Sequence, residues 1–171
     1  MKIKTVGLCT IAALAVSVLT APAAYSQTQI FSASLAGANE VPPINTAGTA
    51  DFNMTIQPSG ITFSLNFSDL SSPLAVAHLH FGVPKVNGGV MIFLCGGGAQ
   101  PDCPATTSGT ITGTITAANV VGPASQGVAA GDLDTALEIV RDGLSYANMH
   151  TANFGSGEIR GQVRPGLGHD R

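Results

Sequence analysis

The chain has no tryptophan, only two tyrosines, and charged residues make up just 10% of it. Seven Lys and Arg are spread over 171 residues, and two of them, Lys2 and Lys4, fall in the first four positions. A sequence with no basic run has no electrostatic footprint for nucleic acid or anionic lipid, so both partner classes are set aside. Nucleotide chemistry lacks its cradle, because Gly96-Gly97-Gly98 carries no following Lys. No Ser stands in a nucleophile-elbow pattern, so a hydrolytic triad is not expected. After Leu19 no apolar run is long enough to span a bilayer. Strands do not alternate with helices in βαβ order, and there is no internal repeat. What the chain does have is glycine (21 residues) together with many Thr and Ser, a balance that suits a β-rich extracytoplasmic module.

Export is written at the start. Lys2 and Lys4 precede an apolar stretch from Val6 to Leu19, Pro22 interrupts it, and Ala24-Tyr25-Ser26 offers small residues before a cut. Residues 1–26 are therefore expected to be a cleaved signal peptide, with a secreted, extracellular or periplasmic product beginning near Gln27. The remaining 145 residues are enough for one domain with a sizeable core. Without Lys2 and Lys4, five basic residues face ten acidic ones, a net charge of −5 with His neutral. Cys9 leaves with the signal. Cys95 and Cys103 remain, and in an oxidising compartment they read as a disulfide closing a short Gly- and Pro-containing loop. Such a link stabilises by roughly 2–3 kcal/mol in the chain-entropy model.

The domain, expected over 27–163, reads as short strands separated by turns. Ile30–Ala36 alternates, and the prolines of Glu40-Val41-Pro42-Pro43 exclude a central strand after it. Thr49–Gln57 and Ile61–Ser68 alternate cleanly about Pro58-Ser59-Gly60, which predicts a hairpin with one buried face. Ala75–Phe81, Val90–Leu94, Thr110–Thr116, Leu144–Thr151 and Glu158–Val163 complete the strands. Asp132–Asp142 has helical spacing of Leu133, Ala136, Leu137 and Val140 and stops at Gly143. The fold class is all-β: an antiparallel sandwich, immunoglobulin-like or a dismutase-like partly closed barrel, with one short helix. Residues 164–171, including His169, read as a frayed tail. Asn53-Met54-Thr55 and Asn66-Phe67-Ser68 match the glycosylation pattern, which has meaning only in a host with that pathway.

Period-2 parity then sorts the side chains. With Ala75, Ala77, Leu79 and Phe81 on the core face, His78 and His80 share the opposite one. With Ala147 and Met149 inward, Tyr146, Asn148 and His150 lie outward. With Ile159, Gly161 and Val163 inward, so do Glu158, Arg160 and Gln162. The expected register sets His150 against Glu158, Asn148 against Arg160 and Tyr146 against Gln162. The result is a polar stripe on the outer face beside the two strand histidines.

These motifs, in this order, resemble the chordin-type (CHRD) domain. The likeness rests on Leu35 with Glu40-Val41-Pro42-Pro43, on Ala77-His78-Leu79-His80-Phe81-Gly82, and on Asn87-Gly88. It continues through Tyr146-Ala147-Asn148-Met149-His150-Thr151 and Gly157-Glu158-Ile159-Arg160-Gly161-Gln162. The resemblance implies a secreted all-β domain of extracellular proteins and brings no catalytic residues with it. A second analogy is to copper/zinc superoxide dismutase, whose metal site also uses a His-x-His strand. No histidine lies between His80 and His150, so nothing matches its zinc loop or bridging imidazole, which argues against dismutase activity.

Two readings of the stripe follow. In one, Tyr146, Asn148, Glu158 and Arg160 are a polar binding surface of a non-enzymatic module whose partner is an extracellular protein or a glycan. In the other, His78, His80 and His150 hold copper or zinc, since imidazole suits both ions and three ligands leave a position open. A dismutase-like metalloenzyme at the same residues is the third and weakest reading.

Overall fold

The computed structural model describes residues 27–166; the signal segment and His169 lie outside the described residues. Alternation builds the first half. In β1 (Gln29–Ala36), β2 (Thr49–Gln57) and β3 (Gly60–Ser68), Phe31, Leu35, Phe52, Met54, Ile56, Phe63 and Leu65 point inward, while Ser, Thr, Asn and Asp point to water. The turn expected at Pro58-Ser59-Gly60 sets the hairpin register, with Gln57 opposite Gly60 and Phe52 opposite Leu65.

The remaining strands are β4 (Leu74–Phe81), β5 (Gly89–Cys95), β6 (Gly109–Ile115), β7 (Ser145–Thr151), β8 (Ile159–Gln162) and β9 (Arg164–Pro165). All pairings are antiparallel in one sheet of order β5-β4-β7-β8-β1-β2-β3-β6, with β9 beside β1. The sheet curls into a nearly closed barrel around a continuous apolar core, as the all-β expectation required. Its end strands, β5 and β6, are joined by the loop after β5. Cys95 is disulfide-bonded to Cys103 there, and Gln100 Nε2 donates to the Thr114 carbonyl at 2.8 Å on β6. The disulfide therefore shapes a segment that reaches from β5 to β6.

Helix α1 (Leu133–Arg141) is capped by Asp132, whose carboxylate accepts from the Thr135 N–H at 3.1 Å. Its buried face, Ala136, Leu137, Ile139 and Val140, joins the core. No helix among the described residues is long and apolar enough to cross a membrane.

Two expectations need correction. Arg164 and Pro165 are not frayed: they pair with Ser32 and Phe31 and extend the sheet. Ala75 does not face the core. The β4–β7 ladder slips between Leu74 and Val76, so Leu74, Ala77 and Leu79 are buried and Ala75 is exposed. An irregularity of this kind resets parity, which an unbroken count along the strand misses.

Candidate metal centre

The three central strands β4, β7 and β8 differ from the first half because both of their faces are buried. All seven residues of β7 are buried, and so are His78, His80 and Arg160. The polar stripe expected on the outer face thus lies beneath cover and not on the surface. The cover is the Gly82–Gly88 segment that links β4 to β5.

Arg160 fastens this cover. Its Nη2 donates to the carbonyls of Val83 and Val86 at 3.0 and 2.9 Å, and its Nη1 to Asn87 Oδ1 at 3.2 Å. The Gly88 N–H donates to the Tyr146 hydroxyl at 3.1 Å. Only glycine fits at 88, since a Cβ there would stand 1.6 Å from the Phe81 carbonyl oxygen. Gln162 Nε2 pins the start of the segment by donating to the Gly82 carbonyl at 2.9 Å.

Beneath this cover the register delivers the histidines. His80 is opposite Tyr146, His78 opposite Asn148, and His150 opposite Val76, one diagonal step from His78. One ring nitrogen from each of His78, His80 and His150 lies within 4.8 Å of the others. His78 Nδ1 and His80 Nε2 are 3.1 Å apart. Metal–nitrogen bonds of about 2.0–2.1 Å would place ligand nitrogens roughly 3.3–3.5 Å from one another, so the His78–His80 pair would open slightly and the widest separation would close by about 1.3 Å to form a ligand set.

Backbone carbonyls fix two of the tautomers. A carbonyl only accepts, so His80 Nδ1–H donates to Gly88 at 3.0 Å and His150 Nδ1–H donates to Gly155 at 3.1 Å. Each ring then presents Nε2 as a bare lone pair. His80 Nε2 accepts from His78; His150 Nε2 is buried and has no hydrogen-bond partner. An imidazole with one nitrogen anchored to a backbone carbonyl and the other free is the arrangement that orients metal-ligating histidines.

The rings are neutral at physiological pH. Burial, reinforced by His150 and His80, lowers the His78 pKa to about 3. Burial also lowers His80 to about 4, with His150 and Arg160 adding to it and the Gly88 carbonyl opposing it. His150 is lowered by burial against the pull of Gly155.

The surroundings are aromatic and cationic. Tyr146 stacks on His80 with ring centroids 4.7 Å apart and planes 6° from parallel. The Arg160 guanidinium carbon sits 3.4 Å from the Tyr146 ring centre. Because β7 lies between β4 and β8, Tyr146 separates the His80 imidazole from the Arg160 cation. His78 meets Phe93 edge-on at 4.9 Å, and Gly97 and Gly98 of the disulfide loop lie against that phenyl ring.

Of the residues singled out in sequence, the structure brings His78, His80, His150, Tyr146, Asn148 and Arg160 together, and it leaves Glu158 out. Asn148 faces Arg160 and Tyr146 faces Gln162 as expected, but the ladder ends at Met149 opposite Ile159. The chain turns at Gly157, whose φ of +128° suits glycine, and the Glu158 carboxylate leaves in another direction. It accepts from the hydroxyls of Thr46, Ser71 and Thr151 and from the Ser71 N–H. Burial opposes ionisation of Glu158, yet these donors outweigh it and its pKa is lowered.

The acid that does enter the cluster is Glu40, which accepts from Asn148 Nδ2 at 2.5 Å. Burial raises its pKa, opposed by Asn148, the Arg160 charge and the Val41 N–H. Sequence parity had no route to Glu40, because it sits on a loop. Its place beside the paired prolines in the recurring motif was the available signal.

This motif order is decisive when compared with known families. The CHRD-domain family model matches residues 31–163, nearly all of the described chain. The chain belongs to the CHRD-domain family. No curated protein and no solved structure is similar enough to match it. Several of the residues quoted for the resemblance build the buried cluster, although Glu158 among them lies outside it. Glu40 and Asn87 reach in from loops, the His-x-His comes from β4, and Tyr146, Asn148, His150 and Arg160 come from β7 and β8. In this CHRD domain the motif residues that are far apart in sequence thus meet at one place.

Proposed function

We propose that this CHRD domain is a secreted, non-enzymatic binding module whose ligand is a transition-metal ion, copper or zinc, held by His78, His80 and His150. The observation that carries the reading is the buried His150 Nε2 lone pair. It has no partner, and it belongs to a cluster whose ring nitrogens converge within 4.8 Å. Leaving such a group unsatisfied costs about 1–3 kcal/mol, a cost that coordination removes. Neutral imidazoles need lose no charge to bind, and the Gly88 and Gly155 carbonyls already orient two of them. His78 completes the set by giving up its hydrogen bond to His80. Export supports the reading: the Cys95–Cys103 disulfide suits an oxidising compartment, and CHRD domains occur in extracellular proteins.

The test is calorimetric titration of residues 27–171 with Cu(II), Zn(II) and, under anaerobic conditions, Cu(I). The expected result is one ion per chain, with affinity lost in His78→Ala and His150→Ala and unchanged in His169→Ala. If no ion binds tighter than millimolar, the metal reading fails. The buried cluster is then architectural, and the partner is to be sought among proteins and glycans.

A further inference from the structure

The chemistry of the cluster distinguishes among ions, and this inference rests on the metal reading above. We infer that the site is selective for a monovalent ion of d10 configuration, Cu(I), over Zn(II) and Cu(II). Three features carry it. First, all three candidate ligands are neutral, and among the described residues no carboxylate belongs to the ligand cluster. Glu158 spends its oxygens on Thr46, Ser71 and Thr151, and Glu40 is held by Asn148. A divalent ion would therefore keep its full double charge inside the protein. The work of taking an ion out of water grows with the square of its charge, so a divalent ion costs about four times what a monovalent one does.

Second, a fixed cation stands close to the ligand set, while Glu40, the carboxylate that faces it, is reached only through Asn148. Arg160 lies against the far face of the tyrosine that stacks on His80. Its repulsion acts on a divalent ion twice as strongly as on a monovalent one. Third, His78, His80 and His150 are only 6%, 7% and 8% exposed, and the space about them is taken by Phe93, Tyr146 and the Gly82–Gly88 cover. Zinc completes a tetrahedron with a fourth ligand, commonly water, whereas Cu(I) is content with three. Three buried neutral nitrogens suit the latter.

The experiment is anaerobic competition of residues 27–171 against bicinchoninate for Cu(I), with ascorbate as reductant so that Cys95–Cys103 stays oxidised. Direct titrations with Zn(II) and Cu(II) accompany it. Cu(I) is expected to bind at least about a hundredfold tighter than either divalent ion. In Arg160→Gln the divalent affinities should rise, and by about twice the logarithmic step seen for Cu(I). Arg160→Lys retains the charge and should show no such gain. Zn(II) or Cu(II) binding as tightly as Cu(I) would overturn the selectivity while leaving the metal reading intact. Equal gains for all ions in Arg160→Gln would remove the part assigned to that cation. Absence of binding by every ion would overturn the metal reading itself.

Discussion

Strands β2 and β7 belong to one sheet, yet their burial patterns are unlike. In β2 every second residue is turned to solvent; in β7 none is. Over the β1-β2-β3-β6 half, the outward positions are mostly hydroxyls, amides and Asp51, with Ile30 and Ala36 the apolar exceptions on β1, and the polar ones are solvated at little cost. Over β4-β7-β8 the outward positions are His78, His80, Tyr146, Asn148, His150 and Arg160, all withdrawn from water. Burying such groups is unfavourable unless partners are supplied, so the second face is the expensive way to build a barrel wall. A fold selected for stability alone would repeat the first pattern. The contrast marks the β4-β7-β8 face as the place where this domain gives up stability, as the proposed metal-holding role would require.

Acid should break the contrast most strongly. The unfolded chain takes protons on its histidines below about pH 6.5, whereas His78 and His80 in the folded domain resist them down to about 3 and 4. The metal-free domain is therefore fully stable above that range and loses stability as pH falls from about 6.5 toward 4. The loss is on the order of 5 kcal/mol for the coupled cluster. Glu40 acts in the opposite sense, because its raised pKa makes its burial costly at neutral pH and less so in acid. Glu158, with its lowered pKa, adds to acid instability only below the ordinary carboxylate range. Urea midpoints taken between about pH 7 and 4.5 would show the decline. A flat profile would mean that the rings are solvated, and the two faces would then be alike.

Arg160→Ala comes next, at about 3 kcal/mol in denaturant unfolding. The substitution strands the Glu40 carboxylate, uncovers Tyr146 and frees the carbonyls of Val83 and Val86. Hydrogen exchange should locate the damage, since the Gly88 N–H that donates to Tyr146 should lose protection while the β2–β3 amides keep theirs. Uniform loss across both halves would show that Arg160 supports the whole barrel rather than one cover.

How far these differences could be read in the sequence depended on periodicity. Phe52, Met54 and Ile56 against Thr49, Asp51 and Asn53 leave no doubt about which face of β2 is buried, and the turn at Pro58-Ser59-Gly60 then fixes the register of β3. The same parity put His78, His80 and His150 on a common side. Parity is silent, however, on what lies above a face. That Gly82–Gly88 folds back depends on Arg160 donating to residues 77, 74 and 73 positions away, which no local pattern encodes. Irregularities also defeat it: the slip beside Ala75 and the turn at Gly157 each redirect side chains that an unbroken count had assigned. The site was thus legible as a set of residue types on one side, but not as a buried one, and not with Glu40 in place of Glu158.

The smallest effect gives the sharpest comparison, because it uses one residue type in both settings. Asn66 on β3 is exposed and accepts from the Thr110 hydroxyl at 2.7 Å, an interaction that water replaces at little cost. Asn148 on β7 is 3% exposed, and its Nδ2 donates both to Glu40 and to the Ile159 carbonyl. Asn148→Ala should cost about 2 kcal/mol, since the buried Glu40 carboxylate loses its donor and a cavity opens beside it. Asn66→Ala should change stability by no more than about 0.5 kcal/mol in the same denaturation assay. Equal costs at the two positions would show that burial of the β7 face adds nothing to what its polar groups contribute. A difference of the expected size would show that this face is held together by its own hydrogen bonds, so that an ion entering among the histidines meets ligands already in place.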